Sequence, residues 1–560
     1  MKKQGFLYGS VILILSVVIV KVIGALFRIP LANMLGGTGM GYFSCAYGIF
    51  MIIYAVSVTG LPTAVAKLTA ESIALEQYRD VRQIKKISLL LFTATGLVST
   101  AVIAILAYPF CKYVAGNINA VPAVIAIAPS VLFGCIMSVY RGYYEGMRNM
   151  YPTAVSQIIE GMVKLISGLG LAYLTLKTAV SNPEFLSKLV KIMELTGFST
   201  ETDLLPYAAA AAVLGITIST AMGTVFLVLR DKIAGDGITR EVLSKSVRSS
   251  SRKTIVKELL KIVIPVAAGS LITNLTSLID LTTIMRSLKL AMFKAPGFFA
   301  ELTGGSVAGS MIPTFIFGSF TGLAVSVFNL VPSFTNMFGK GVLPTLSTAF
   351  AMKNSKDICS SSYNVLFTTA FISMPAGIGI SVLSEPILYL LFPNKLAEIR
   401  VCAESLAVLG IGVVFLSLSM SIFSVLQAAG KAQIPVIIML AGVIVKLIGN
   451  TFLVPVPELN VTGAAISTDI CYIVIFIISI YELYKITKVC LSNIIKMLLK
   501  ILISSLMCGA TAYLAYGFVS RFISNLFSLA VLILLGALIY IITTHLSGTF
   551  TKSTLKMLIS

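Results

Sequence analysis

Apolar runs long enough to cross a bilayer recur from one end of this chain to the other. A hydrocarbon core about 30 Å thick needs about 20 residues of helix to span it. Inside that core every backbone N–H and C=O must be paired internally, so a succession of such runs folds as helices. About fourteen runs stand out, at roughly 6–30, 43–72, 87–111, 122–145, 152–177, 205–229, 259–287, 317–350, 363–392, 401–428, 434–456, 462–484, 494–519 and 526–547. The second and eighth are long and carry Gly60-Leu61-Pro62 and Gly341-Val342-Leu343-Pro344, which predict bends or breaks. With 57% hydrophobic and only 11% charged residues over 560 positions, the chain lacks the charge to cover a soluble surface. The fold class is therefore an all-α polytopic membrane protein. The first run, Phe6 to Pro30, is too long for a signal-peptide core, and no small-x-small cleavage pattern follows it. It is read as the first membrane helix.

Two short strings repeat at one offset. Val-Lys-Leu-Ile occupies 163–166 and 445–448, and Leu-Pro-Thr begins at Leu61 and Leu343; 446 − 164 and 343 − 61 both equal 282. A shared offset predicts duplicated halves. A basic, serine-rich stretch near the middle reads as the link between them. It carries Arg230, Lys232, Arg240, Lys245, Arg248, Arg252, Lys253 and Lys257. The expected organisation is a six-helix lobe at 1–230, a cytoplasmic linker at 231–258, a second six-helix lobe at 259–488 and a helix pair at 489–560. Six helices per lobe make the repeat parallel. The connections rich in Lys and Arg fall on one side, which predicts that both termini are cytoplasmic. The net charge of +20 lies mostly in these connections, so anionic lipid explains it better than nucleic acid.

Catalytic and nucleotide signatures are missing: no GxxxxGK[ST] loop, nucleophile elbow, HExxH or dinucleotide fingerprint occurs. The eight cysteines are scattered without a CxxC, and the sole histidine, His545, lacks the partners of a metal site. An enzyme is not expected, nor a cofactor, although a coupling ion (H+ or Na+) is left open.

The chemistry must then come from ionisable residues inside apolar runs, each costing about 2.5–3.5 kcal/mol at a helix centre. Lys21 and Arg28 lie seven apart on the first helix, on one face, and read either as a cationic cavity wall or as side chains snorkelling to the interface. Glu160 and Lys164 are four apart, acid before base, and can pair. Lys446 has Gly442 where Lys164 has its acid, so it needs another partner or an anionic ligand; Asn450 adds a polar position to its face. Of the two repeated lysines, Lys446 is the one expected to touch a ligand. Asp280 is a counter-ion or coupling-ion candidate. Lys67 and Lys340 sit near helix ends, and Glu71 and Asp469 complete the buried acids. Six cations against four acids leave the set positive, which suits phosphate or pyrophosphate.

Several segments resemble a known family. They are Lys21-Val-Ile-Gly-Ala-Leu-Phe-Arg28-Ile-Pro, Leu35-Gly-Gly-Thr-Gly-Met-Gly-Tyr-Phe43, Gly60-Leu-Pro-Thr-Ala-Val-Ala-Lys67 and Tyr140-Arg-Gly-Tyr-Tyr-Glu-Gly-Met-Arg-Asn-Met-Tyr-Pro152. Their order is similar to the stage V sporulation protein B branch of the polysaccharide and lipid II flippases, within the multidrug/oligosaccharidyl-lipid/polysaccharide exporter superfamily. The resemblance implies two lobes around a cationic cavity, alternating access, and a polyprenyl-pyrophosphate-linked sugar as substrate. It places Lys21 and Arg28 at the family's basic first-helix positions. The adjacent arginines of the family's second helix have no match in Ile52-Ile-Tyr-Ala-Val-Ser57. The last two helices resemble those lining a lipid-tail groove. The expectation is a monomeric flippase for a cell-wall precursor in a bacterial cytoplasmic membrane. The rivals are an ion-coupled multidrug exporter of the same superfamily and a non-transporting scaffold.

Overall fold

The computed structural model describes residues 6–181, 204–238, 242–243, 246, 251–305, 307–519 and 525–549. Every regular element among them is helical. Two compact units emerge, Met1–Leu281 and Thr282–Ser560.

The first unit holds α1 (Phe6–Ser57), α2 (Leu61–Ala74), α3 (Tyr78–Pro109), α4 (Val121–Ile127), α5 (Pro129–Gly146), α6 (Tyr151–Ser181), α7 (Leu205–Ala234) and α8 (Arg252–Ile279). Apolar stretches of membrane-crossing length number thirteen among the described residues, and the first, Leu15–Ala74, is 60 residues long. At 1.5 Å per residue that is about 90 Å, enough for two crossings. The break comes at Gly36, where φ is 63° and ψ −171°. That conformation suits glycine, which has no Cβ to clash. Pro62 then starts α2 in the first turn of the helix, where its missing N–H costs nothing.

α6 and α7 pack closely because two glycines meet. A Cβ on Gly215 would collide with the Gly168 backbone. Small residues at such contacts let helix backbones approach without a hydrophobic driving force. α8 packs on α1, α2 and α3. By contacts it therefore groups with the first unit, whereas the sequence places the second lobe's start at 259.

The chain passes into the second unit within a π-turn over Asp280–Ile284. There follow α9 (Met285–Lys294), α10 (Pro296–Leu302), α11 (Ile312–Ser319), α12 (Val325–Phe328), α13 (Leu330–Ala351), α14 (Ser355–Val382), α15 (Ser384–Leu391), α16 (Leu396–Ala428), α17 (Gln433–Leu453), α18 (Asn460–Thr487), α19 (Leu491–Val519) and α20 (Asn525–Leu546). α16 is the centre of this unit, against α13, α14 and α18. α19 and α20 pair with each other and lean on α14, where the Tyr540 hydroxyl donates to the Phe371 carbonyl at 2.8 Å.

The repeated lysines occupy matching places. Lys164 lies 13 residues after the first residue of α6 (164 − 151) and Lys446 lies 13 after that of α17 (446 − 433).

Candidate functional site

In the first unit, α1, α5 and α6 bring Arg28, Arg141, Glu160 and Lys164 into one polar patch within apolar helices. The Glu160 carboxylate accepts a hydrogen bond from Arg141 Nη2 at 2.9 Å, and Arg141 Nε donates to Ser156 Oγ at 2.9 Å. Ser156 and Glu160 are one turn apart on α6, so the planar guanidinium spans both. The Glu160 hydrogen bond thus goes to Arg141, while Lys164 stays within Coulombic reach of the carboxylate. Lys164 Nζ instead sits 4.7 Å from the centre of the Phe27 ring, a cation–π contact. Arg28 and Lys164 lie within Coulombic reach of each other, with Tyr47 beside Arg28. An aromatic row flanks them along the second half of α1. Phe43 stacks on Tyr47 at 5.8 Å, Tyr47 meets Phe50 at 5.7 Å, and Phe50 meets Tyr54 at 5.1 Å. Arg28, Arg141 and Lys164 against Glu160 leave this patch with an excess of positive charge. Lys21 is exposed on α1, seven residues before the half-buried Arg28. Lys67 is exposed too and meets Glu71 at 3.8 Å. Asp280 is half-buried at the start of the π-turn.

In the second unit Lys446 is 4% exposed and Asn450 is fully buried. Asn450 Nδ2 donates to Thr283 Oγ1 at 3.0 Å, and Asp469 on α18 lies within Coulombic reach of Lys446. The sequence favoured Lys446 over Lys164 as the ligand contact. Lys446 is packed inside its unit with Asp469 in Coulombic reach, while Lys164 is half-buried with Glu160 in Coulombic reach. An apolar groove of about 390 Å³ opens in the same unit, lined by Met374, Ile378, Val414, Phe476, Leu499 and Leu506 among others.

Sequence reasoning missed Arg141. It falls inside the 122–145 run, and that position alone marks it as an intramembrane cation.

A second polar cluster lies at the linker end of the first unit. The Arg82 guanidinium reaches Asp236 Oδ2 at 3.3 Å, Lys85 pairs with Asp231, and the Tyr143 and Tyr144 hydroxyls donate to Asp236 and Asp231 at 3.1 and 3.2 Å. The Arg230 guanidinium lies over the Tyr144 ring at 4.6 Å. Arg79 Nε adds a bond to the Leu243 carbonyl at 3.1 Å. The tyrosines of the Tyr140–Pro152 segment therefore clasp the start of the linker to α3 and α5. Burial pushes the Asp236 carboxyl up, but the Ile238 N–H, the Arg82 guanidinium and the Tyr143 hydroxyl outweigh it and hold the carboxyl below its ordinary value.

A succession of apolar helices of membrane-crossing length, with charged residues set among them, defines a multi-pass membrane protein. Residues 6–350 match the model of the polysaccharide biosynthesis protein family, and 319–452 match that of the MatE family. The chain belongs to the polysaccharide biosynthesis protein family. It is 24% identical to the lipid II flippase MurJ of Bacillus subtilis over 83% of this chain and 80% of that one. It is 26% identical to the stage V sporulation protein B of the same organism, over 56% of each chain. A solved structure of the lipid II flippase MurJ in an inward closed conformation superposes with a TM-score of 0.64 at 15% identity, over 96% of this chain and 98% of that one. The MurJ relatives are flippases rather than enzymes, and this chain groups with them.

Proposed function

We propose that this protein is a flippase that carries a polyprenyl-pyrophosphate-linked cell-wall precursor across a bacterial cytoplasmic membrane by alternating access of its two lobes. The observation that carries the reading is a polar patch with an excess of positive charge: Arg28, Arg141 and Lys164 gathered with the acid Glu160, which is hydrogen-bonded to Arg141 and within Coulombic reach of Lys164. An anionic headgroup neutralises such an excess, and a diphosphate offers oxygens to both Arg28 and Lys164. The apolar groove against α19 suits the hydrocarbon tail, which stays among apolar side chains while the headgroup crosses. Lys21, Asp280, Lys446 and Asn450 are assigned to the substrate path as well, with Lys446 and Asn450 shaping it from within their unit. The names of the relatives, a lipid II flippase and a sporulation protein, agree with a peptidoglycan-type cargo. No phosphate loop for ATP hydrolysis occurs, so an ion gradient (H+ or Na+) or the membrane potential drives the step. The working unit is a monomer.

The test is flipping of a fluorescent polyprenyl-diphosphate glycan by the full chain in liposomes. Arg28→Ala and Lys164→Ala should each lower the rate at least tenfold, and together abolish it. Normal flipping by the double variant sinks the assignment. The MatE match favours a second reading, an exporter of organic cations. Drug efflux that persists when the two cations are removed would favour it over the flippase.

A further inference from the structure

Asp469 lies on α18, 5% exposed, with both carboxylate oxygens sealed from solvent and neither accepting a hydrogen bond of normal geometry. Its neighbours' donors are spent elsewhere. Ser467 Oγ donates to the Lys446 carbonyl at 3.1 Å, and Thr468 Oγ1 to the Ala464 carbonyl at 2.8 Å. Across from it Gly412 of α16 lies flush against the carboxylate, so close that a Cβ there would collide with Asp469 Oδ1. The Gly412 amide belongs to the α16 helix.

The charged surroundings are sparse. From α17 the one ionisable side chain is Lys446, in Coulombic reach of the acid. α16 carries Glu398, Arg400, Cys402 and Glu404 in its first turns, and no ionisable residue from Ser405 to Ala428. α14 carries Lys356, Asp357, Cys359 and Tyr363 near its start, and none from Asn364 to Val382. On α18 itself the near titratable groups are Cys471 and Tyr472. The Tyr472 ring stacks on Phe328 of α12 at 6.0 Å.

A buried carboxylate without a well-formed hydrogen bond is costly to hold. Beside the nearby Gly412 N–H, two things relieve it here, the Lys446 ammonium and a proton. Ionisable residues set deep in membrane helices mark proton or ion paths. We propose that Asp469 is a proton-binding site of the second unit, taking H+ onto a carboxylate oxygen in one conformation and releasing it in another. An O–H bond forms or breaks, and with Lys446 charged the pair switches between net zero and net +1. Such a switch would couple a proton gradient to the transport proposed above, and in that respect it rests on that reading. The proton site itself does not.

The experiment is infrared difference spectroscopy of the full chain in liposomes of phosphatidylglycerol and phosphatidylethanolamine, stepped through pH with sodium absent and then present. The wild type should show a carboxylic C=O band that comes and goes with pH, and Asp469→Asn should lose it. Gly412→Ala, which displaces the flexible carboxylate end without touching other backbone, should shift the same band. That variant decides the matter should Asp469→Asn fail to fold. A band unchanged in both variants overturns the proposal. So does a band that sodium removes at constant pH, because the site then binds a metal cation. Flipping is measured in parallel under an imposed pH gradient. A gradient response lost in Asp469→Asn supports coupling. A wild type that binds the proton but flips nothing defeats the transport reading alone.

Discussion

Glu160 and Lys164 stand at the spacing where acid and base pair along a helix, yet the carboxylate turns to Arg141. Geometry explains the choice: a guanidinium can bond Ser156 and Glu160 together, while the lysine amine finds the Phe27 ring. The two residues then do different work, and their variants should separate. Glu160→Ala strands the Arg141 guanidinium and should cost about 1–3 kcal/mol, read as a lower thermal midpoint in detergent. Lys164→Ala gives up one cation–π contact, about 0.5–2 kcal/mol, and should leave the midpoint nearer the wild type while transport falls. Equal midpoint losses would show that Lys164 is structural. Gly215 allows a similar contrast. Gly215→Leu forces α6 and α7 apart and should destabilise by about 1–3 kcal/mol. Gly297→Ala, on exposed α10 with open space around it, should be neutral or slightly stabilising.

Elements show what could and could not be read in advance. Helix positions follow from apolar length, which needs no partner to be recognised, and the matched placement of Lys164 and Lys446 follows from a repeat of four residues. The pairing of Arg141 with Glu160 was not legible, because it joins α5 to α6 and depends on which faces meet. The linker clasp was hidden for the same reason. Asp231 and Asp236 look like ordinary loop acids until α3 and α5 bring Arg82, Lys85, Tyr143 and Tyr144 to them. The clasp has a definite pH signature. The Asp236 carboxyl is held below its ordinary value in the folded chain, so it adds stability above its unfolded value, about 3.9. That contribution fades as pH falls through the folded value. Acidification to about pH 3 to 4 should therefore speed proteolytic cutting of the linker. Asp236→Asn should cut faster already at neutral pH and lose that acid step. An acid step of unchanged size in the variant would assign it to other carboxylates.

The whole molecule bears on the count of crossings. Thirteen apolar stretches appear among the described residues, and the first, 60 residues long and broken at Gly36, has the length for two. We propose fourteen crossings, an even number, with both ends of the chain on one face of the membrane. Charge then chooses the face. The connections that follow even-numbered crossings carry Arg79, Arg82, Lys85 and Lys86, then Arg148, and later Lys485 and Lys488; the connection around 31–42 carries none. Basic connections stay in the cytoplasm because they are hard to move across the energised membrane. A fluorescent protein fused after Ser560 should light up, and alkaline phosphatase fused there should be inactive. Phosphatase inserted within 178–204, after the fifth crossing, should be active, and inserted at 246 it should be silent. If the fusion after Ser560 and the insertion at 246 report opposite faces, an odd number of crossings separates them. The parallel six-plus-six arrangement of the lobes with a terminal pair then fails, and with it the matched depth assigned to the two lysines.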